Sequence, residues 1–452
     1  MLKLKNLLFA GLLLLFFSGP VMAAVTDQEA AQLNSTLTPF GAEKAGNADG
    51  SIPAWTGGYT TVPEGFKPGD KRLDPFAAEK PLFSITGANL DKYADSLSEG
   101  EKFLLKKYPD FRMDVYPTHR TAAAPQWVYD NTLKNASRAK SLNDGLSIDG
   151  AFGGIPFPFP ASGREAMWNH LLYWQGKAYK DDLRIYLLTP EGKAVLLSEA
   201  TNYMQFPYYY QDENSFNGYS IYISQLQTAP PIKNGESILV RDPLDQYGEG
   251  RKAWQYLSGQ RRVRRAPSIA YDTPDSVSSG QQYYDEIWMF VGALDRYDWK
   301  IVGKQEMYIP YNCNGFYQTT DRDAIGEGMH SFNPDRVRWE KHRVWVIEAT
   351  LAQGKRHVVA KKRFYLDEDT WQALLSDGWD ANGQLWRHAV GIPLLAMDLP
   401  GQVLGTFGIY NLQTGTRTAT NVFNESKSQH EYIKPKPESY FTPEAFAGRG
   451  VR

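Results

Sequence analysis

Arg261, Arg262, Arg264 and Arg265 crowd around Val263 in the segment WQYLSGQRRVRRAP, residues 254–267. In extended backbone successive side chains point to opposite faces, so Arg262 and Arg264 share one face and Arg261 joins Val263 on the other. A planar guanidinium holds a carboxylate, sulfate or phosphate through two parallel hydrogen bonds. Arg262 and Arg264 are therefore candidates for gripping an anionic head group. The same pattern also suits a solvated strand whose arginines pair with neighbouring carboxylates. Catalytic and metal chemistry is sparse by comparison. The seven histidines stand at 119, 170, 330, 342, 357, 388 and 430. No two have the three-to-five spacing of a helical metal pair and none is near Cys313, so no metal centre is expected. A lone Cys313 beside Tyr311 and Phe316 reads as a small buried group rather than a nucleophile. The chain has no Gly-x-Ser-x-Gly elbow and no Gly-x-Gly-x-x-Gly turn after a strand. Asp321-Arg322-Asp323 lacks the ligand register of a calcium loop. Either it or Asp367-Glu368-Asp369 could supply an acid/base pair for sugar hydrolysis, a mechanism that depends on the distance between two carboxylates.

The second chemical feature is aromatic: 27 Tyr, 22 Phe and 12 Trp. Trp254, Tyr256, Trp288, Phe290, Trp345, Phe364 and Tyr365 fall in segments that read as strands. Large aromatics on one face of a twisted sheet can wall an apolar cavity, and they equally suit an ordinary core. The candidate ligand-binding set is Trp168, Trp254, Tyr256, Arg262, Arg264, Trp288, Phe290, Trp345 and Tyr365, with no catalytic residue and no cofactor.

Three helices and many strands must position these groups. Leu90, Tyr93, Ala94, Leu97, Leu104 and Tyr108 recur at helical spacing. Ser98 and Glu101 have capping-box spacing, which predicts a fresh helical start. Residues 125–139 predict a second helix with Pro125 in its first turn. Ser162 and Glu165 cap a third, with Met167, His170, Leu171 and Trp174 on one face. Residues 162–174 are the candidate lid. FGGIPFPFP (152–160) cannot be helix, because proline recurs at every second position towards its end. From about Ala178 the period changes to two. Strands are predicted at 183–188, 193–199, 219–223, 236–240, 252–257 and 286–291, and a hairpin pairs 343–351 with 355–366 across Gln353-Gly354. Val344, Val346, Trp345 and Ile347 make both faces of its first strand apolar, which predicts a sheet covered in part on both sides. Asp380 to Gly383 reads as a turn, and the Pro-rich stretch 432–443 as an extended strap. The fold class is mainly β (α+β): a large curved antiparallel sheet or open half-barrel with helices covering the concave face.

With 49 Lys+Arg against 51 Asp+Glu, the chain lacks the basic excess of a nucleic-acid binder, and none is expected as partner. One cysteine excludes an internal disulfide framework. Lys3 and Lys5, the apolar run 7–17 and the small residues before Ala24 form a secretory signal peptide over 1–23. With no cysteine near the cleavage site and no later apolar run of ~18 residues, the expectation is a periplasmic protein without lipid anchor or spanning helix. Residues 24–175 form a loop-rich and helical region and 176–452 the sheet region, together one compact unit.

The segments GAEKAGNADGSIPAWTGG (41–58), FGGIPFPFP, WQYLSGQRRVRRAP, RVRWEKHRVWVIEATL (336–351) and RFYLDEDTW (363–371) resemble domain-of-unknown-function family 1329, exported proteins described as outer-membrane lipoprotein-sorting-like. The resemblance covers essentially the whole mature chain. It implies an open half-barrel similar to that of periplasmic lipoprotein carriers. It also implies a resistance-nodulation-division type exporter and an outer-membrane β-barrel protein as partners, and it carries no catalytic residues. The expected function is a non-enzymatic periplasmic carrier of a hydrophobic or acylated small molecule or lipid. The alternatives are a periplasmic hydrolase of glycan or ester, marked by carboxylates or a Ser/His pair converging in a cleft, and a non-binding envelope scaffold, marked by a concave face filled by its own side chains.

Overall fold

The computed structural model describes residues 25–450; the expected signal peptide and its cleavage site lie outside them. The short strands β1 (Phe83–Ile85) and β2 (Met113–Val115) flank helix α2 (Glu99–Lys107), and a small separate hairpin joins β3 (Lys140–Leu142) to β4 (Ser147–Asp149). Next come β5 (Ala178–Leu188), β6 (Ala194–Gln205), β7 (Tyr219–Ala229), β8 (Ser237–Pro243), β9 (Lys252–Leu257) and β10 (Arg262–Arg265). Then follow β11 (Tyr297–Pro310), β12 (Trp339–Leu351), β13 (Lys361–Asp367), β14 (Ala373–Trp379), β15 (Leu385–Ala396), β16 (Gly401–Asn411), β17 (Thr416–Val422) and β18 (Glu431–Tyr432). The helices are α1 (Asp27–Ala30), α2 (Glu99–Lys107), α3 (Gln126–Arg138), α4 (Gly163–Leu171), α5 (Asp321–Ala324) and α6 (Pro443–Gly450).

All strands but β3 and β4 belong to one 16-stranded open sheet, ordered β1-β2-β12-β13-β14-β15-β16-β17-β5-β6-β7-β8-β9-β10, with β11 on β12 and β18 on β5. Pairing is antiparallel except for a parallel bridge of Trp339 with Val115. Two meanders are therefore spliced at the β17–β5 seam, where Thr418 faces Leu187. The protein is mostly β, with a few helices.

Both faces of the sheet are covered, as the apolar alternation of β12 predicts. On one face lie α4 and the segment 266–294, where Phe290 packs edge-on against Trp299 of β11 and Phe364 of β13 at 5.3 and 5.7 Å. On the other lie α2 and the loops around 312–337. There Gly408 of β16 lets the Phe332 ring approach so closely that a Cβ would sit 2.7 Å from it.

The capping box of α2 forms in full: Glu101 N–H donates to Ser98 Oγ at 3.2 Å and Ser98 N–H to Glu101 Oε2 at 2.6 Å. Upstream, 90–96 forms two 3-10 turns rather than a continuous helix. Pro125 is the N-cap of α3. In α4 Ser162 caps Glu165 N–H, while the Glu165 carboxylate accepts from Ala161 N–H at 2.7 Å, one residue before the box position. Segments predicted at 183–188, 193–199, 219–223, 236–240 and 252–257 are strands, most of them longer than predicted. Two expectations need correcting. The hairpin from β12 returns only at Lys361, because 352–360 form a longer connection. Residues 286–291 are not a strand: Trp288 and Met289 have φ of 48° and 71°, left-handed backbone that no pleated strand accommodates.

Candidate ligand-binding cavity

An apolar cavity of about 70 Å³ lies between the sheet and its cover. Its floor is built by alternate residues of several strands: Leu183 and Ile185 of β5, Ile223 of β7, Ile238 and Val240 of β8, and Phe407 of β16. Period-two alternation turns these side chains to one face. Its roof is the segment 266–291, through Ile269, Val277, Tyr284, Ile287 and Trp288. Val291 and seven polar residues complete the lining: Asn202, Gln225, Arg251, Asp275, Gln282, Thr420 and Asn421.

Most of these polar groups are held by the protein itself. Arg251 is fork-paired to Asp242, with Nε–Oδ1 at 2.7 Å and Nη2–Oδ2 at 2.6 Å. Asp275 accepts from Val277 N–H, Ser278 N–H and Gln282 Nε2 at 2.9, 3.2 and 3.1 Å, and burial raises its pKa. Gln282 Oε1 accepts from Thr418 and Thr420 of β17, pinning the roof to the floor. Asn202 and Asn421 are buried, and the amide oxygen of each lacks a hydrogen-bond partner. Each unmet acceptor costs on the order of 1–3 kcal/mol, which a donor on a ligand or a water would recover.

The roof has no helix beyond one 3-10 turn at Tyr284–Glu286. Tyr271, Ser279, Trp288 and Met289 all carry left-handed φ, from 48° to 71°. Such backbone in non-glycine residues costs of order 1 kcal/mol or more apiece and persists only where contacts enforce it. The enforcing contacts are polar. Lys362 and His357 both reach Asp285 Oδ2, at 2.6 and 2.9 Å, and Arg387 grips Glu286 with two bonds at 2.6 and 2.7 Å. From the β7–β8 turn, Lys233 Nζ donates to Ser276 O, Val277 O and Ser279 Oγ at 3.0, 3.2 and 2.8 Å.

Of the sequence candidates, Trp288 lines this cavity and the other eight do not. Phe290 is buried in the aromatic cluster with Trp299 and Phe364. Trp345 stacks on Trp371 at 5.6 Å. Tyr365 lies on the opposite face, its hydroxyl donating to Asp377 Oδ2 at 3.1 Å. Trp168 is fully buried and its indole N–H donates to Gly145 O at 2.8 Å. None of the residues of the proposed lid helix α4 lines the cavity, although His170 accepts from Ala373 N–H and bonds Phe290 O next to the roof. Trp254 and Tyr256 pack with Tyr222, Leu239, Phe441 and Phe446 on the side away from the cavity. Arg262 and Arg264 are exposed on the edge strand β10; Arg264 pairs with Gln255, which in turn pairs with cavity-lining Ile238, so the two arginines point to the cavity side of the sheet. The floor residues escape sequence reasoning because an Ile or Val on any strand looks alike; only register selects them.

A buried polar cluster lies elsewhere. His342, Asp367 and Asp369 bring ligand atoms within 4.8 Å of one another, a juxtaposition across strands that histidine spacing does not reveal. Each already has hydrogen-bond partners. Asp369 is fork-bonded by Arg120 at 2.6 and 2.8 Å, Asp367 Oδ2 accepts from Thr370 and Tyr311 hydroxyls at 2.6 and 3.1 Å, and His342 Nε2 bonds Glu340 at 3.1 Å. Burial, followed by the charge of Asp369, raises the Asp367 pKa to about 6. The Arg120 guanidinium thus offsets the charge of Asp369. Cys313 is buried and desolvation raises its thiol pKa, the opposite of an activated nucleophile. Among the described residues no helix is long and apolar enough to cross a membrane.

The family model described as a protein of unknown function, DUF1329, matches residues 84–447, and the chain belongs to that family. An uncharacterized protein of Pseudomonas aeruginosa is 39% identical over 460 residues, covering 99% of each chain. Among solved structures, the chain is similar to a Vibrio parahaemolyticus domain whose name proposes outer membrane lipoprotein sorting, at 15% identity and TM-score 0.41, over 60% of this chain and 92% of that one. It is similar to a DUF1329 family protein from Desulfovibrio piger at 14% identity and TM-score 0.41, with the same coverage. A LolA superfamily protein from Nitrosomonas europaea matches at 9% identity and TM-score 0.36, over 63% of this chain and all of that one.

Proposed function

We propose that this protein is a periplasmic carrier that shelters a hydrophobic or acylated small molecule or lipid between its sheet and the 266–291 roof. The observation that supports this reading is an apolar floor contributed by separate strands beneath a roof held by polar latches rather than by apolar packing alone. Burial is the driving force. Each CH₂ removed from water contributes ~0.8 kcal/mol, so a sixteen-carbon chain gains roughly 13 kcal/mol gross, much of it offset by ordering of ligand and roof. At about 70 Å³ the cavity takes only the end of such a chain. Loading therefore requires the roof to lift, breaking the Lys233 contacts and relieving the left-handed residues. Asn202 and Asn421 offer acceptor oxygens to a hydroxyl or amide near the apolar group. As partners we propose an inner-membrane exporter of the resistance-nodulation-division type and an outer-membrane β-barrel protein; no catalytic step is assigned.

The test is native mass spectrometry of the mature protein isolated gently from the periplasm, with lipid analysis after denaturation, alongside titration with a fluorescent fatty acid. A stoichiometric amphiphile, or saturable probe uptake that Ile238→Trp abolishes while the fold melts normally, is the expected result. A second reading is favoured by the small volume of the cavity: an envelope scaffold that carries nothing. A clean apo mass, with no probe uptake by either form, decides for the scaffold and against the carrier.

A further inference from the structure

We propose that the end of the sheet bearing the β7–β8 and β9–β10 turns seats on an anionic lipid bilayer. Three observations meet there. First, Arg261, Arg262, Arg264 and Arg265 are all exposed, and among the described residues none is in an ion pair. Two of them make long hydrogen bonds to glutamines: Arg264 to Gln255 at 3.2 Å and Arg262 to Gln260 at 3.4 Å. This contrasts with Arg72, Arg120, Arg251 and Arg387, each of which is paired with a carboxylate. Second, Ile232 at the β7–β8 turn is 84% exposed, and Leu226 in the last part of β7 is 39% exposed. Third, the two turns lie close together: a Cβ on Gly235 would lie 4.0 Å from that of Ser258. An apolar tip beside a cluster of unpaired cations is the chemistry of an interfacial anchor, with the isoleucine in the acyl boundary and the guanidiniums on phosphate.

A second strand adding to the β10 edge is the weaker fit. Charges along an edge strand oppose pairing, and Ile232 projects from a turn rather than along the edge. The opposite side of β8 and β9 is taken by Phe441 and Phe446, leaving Arg262 and Arg264 free on the cavity side. The docking end also lies near the cavity. Ile238 is three residues from Gly235, roughly 10 Å at ~3.3 Å per residue. Lys233 of the same turn holds the roof at Ser276, Val277 and Ser279. Attachment to a bilayer does not need a filled cavity, so it is tested separately from cargo binding.

The experiment is flotation of the mature protein with vesicles of phosphatidylcholine, with and without phosphatidylglycerol, at low and high salt. Binding is expected only with phosphatidylglycerol and should fade as salt shortens the Debye length. Near an anionic surface each arginine is worth about a fivefold gain in partitioning. Replacing all four by Gln should therefore lower the partition coefficient by about 25-fold if one face's pair reaches the surface and by up to about 600-fold if all four do. Ile232→Asp, with every arginine kept, should lower it severalfold, and both variants should melt like the parent because the changed side chains are exposed. Equal binding to both vesicle types, no binding to either, or no loss in the two variants overturns the proposal. Capture by polyglutamate without vesicle binding also overturns it, assigning the cluster to an acidic protein partner.

Discussion

Gly100 shows how one residue can seat an entire helix. Glu99 and Gly100 N–H groups both donate to the Asp377 carboxylate at 3.0 Å, and His388 Nδ1 lies 2.8 Å from the same carboxylate. A Cβ at Gly100 would fall 2.0 Å from His388 Nδ1. Alanine is the better helix former by about 1 kcal/mol, but here it must push α2 off its acceptor. Gly100→Ala should therefore destabilise the protein by about 2–3 kcal/mol, read as a lower denaturant midpoint; a neutral or stabilising result would show that α2 is not seated this way. His170 offers a pH test. Burial lowers its pKa to about 4, against 6.5 for an exposed histidine. The unfolded chain then binds more protons than the folded one between about pH 4 and 6.5, so this group's contribution to stability is complete above 6.5 and is lost as pH falls, by up to roughly 3 kcal/mol. Asp367, with a raised pKa, acts in the opposite sense between its ordinary value and about 6. The difference between wild type and His170→Gln isolates the histidine: the variant should lose less stability on going from pH 6.5 to 4, and identical pH profiles would remove His170 from the account.

At the scale of elements, what was legible in the sequence is what advertises itself locally. The Ser98 box and strands with clean alternation, such as Lys252–Leu257, follow from short-range rules. Strands β14 to β17 do not. Covered on both faces, β15 and β16 are buried almost throughout and lose the period-two signal. In β11 the register shift between Ile301 and Gly303 interrupts the alternation. Conversely, EIWMFV at 286–291 has strand composition but packs residue by residue as a roof, which no single-segment pattern distinguishes from pairing. The cavity was accordingly legible only through Trp288. The roof's attachment is testable at this scale. Lys233→Met keeps the aliphatic stem and removes three donated bonds. Since Lys233 is partly exposed, the local loss should be only about 1 kcal/mol. Amide exchange across 275–285 should accelerate about fivefold, with exchange in α2 unchanged, and fluorescent fatty-acid uptake should become faster. Uniform acceleration throughout the protein would instead indicate global destabilisation.

For the molecule as a whole, the change of period near residue 175 suggests two parts, and the contacts across it suggest one folding unit. Val115 of β2 bridges Trp339 of β12, Arg120 fork-bonds the buried Asp369, and α2 caps the buried Asp377. Removing residues 24–175 would strip donors from two carboxylates that stay surrounded by protein. Asp369 would be left an unpaired buried charge, at about 3–5 kcal/mol, and Asp377 would keep His388 and Tyr365 but lose two backbone donors, together a large share of the ~5–15 kcal/mol that stabilises an ordinary domain. The seam between the two meanders adds to this: β17 is the penultimate strand of the sheet in sequence, yet it pairs with β5 at the sheet's centre, so either meander without the other is left with an unpaired edge strand. The mature protein should consequently unfold in a single transition, with far-ultraviolet and near-ultraviolet circular dichroism coinciding. Residues 176–452 expressed alone should lack near-ultraviolet signal and a cooperative melt. A fragment that unfolds cooperatively with most of the parent's stability would mean that the sheet folds without its N-terminal cover, and that 24–175 is an appendage free to move relative to it.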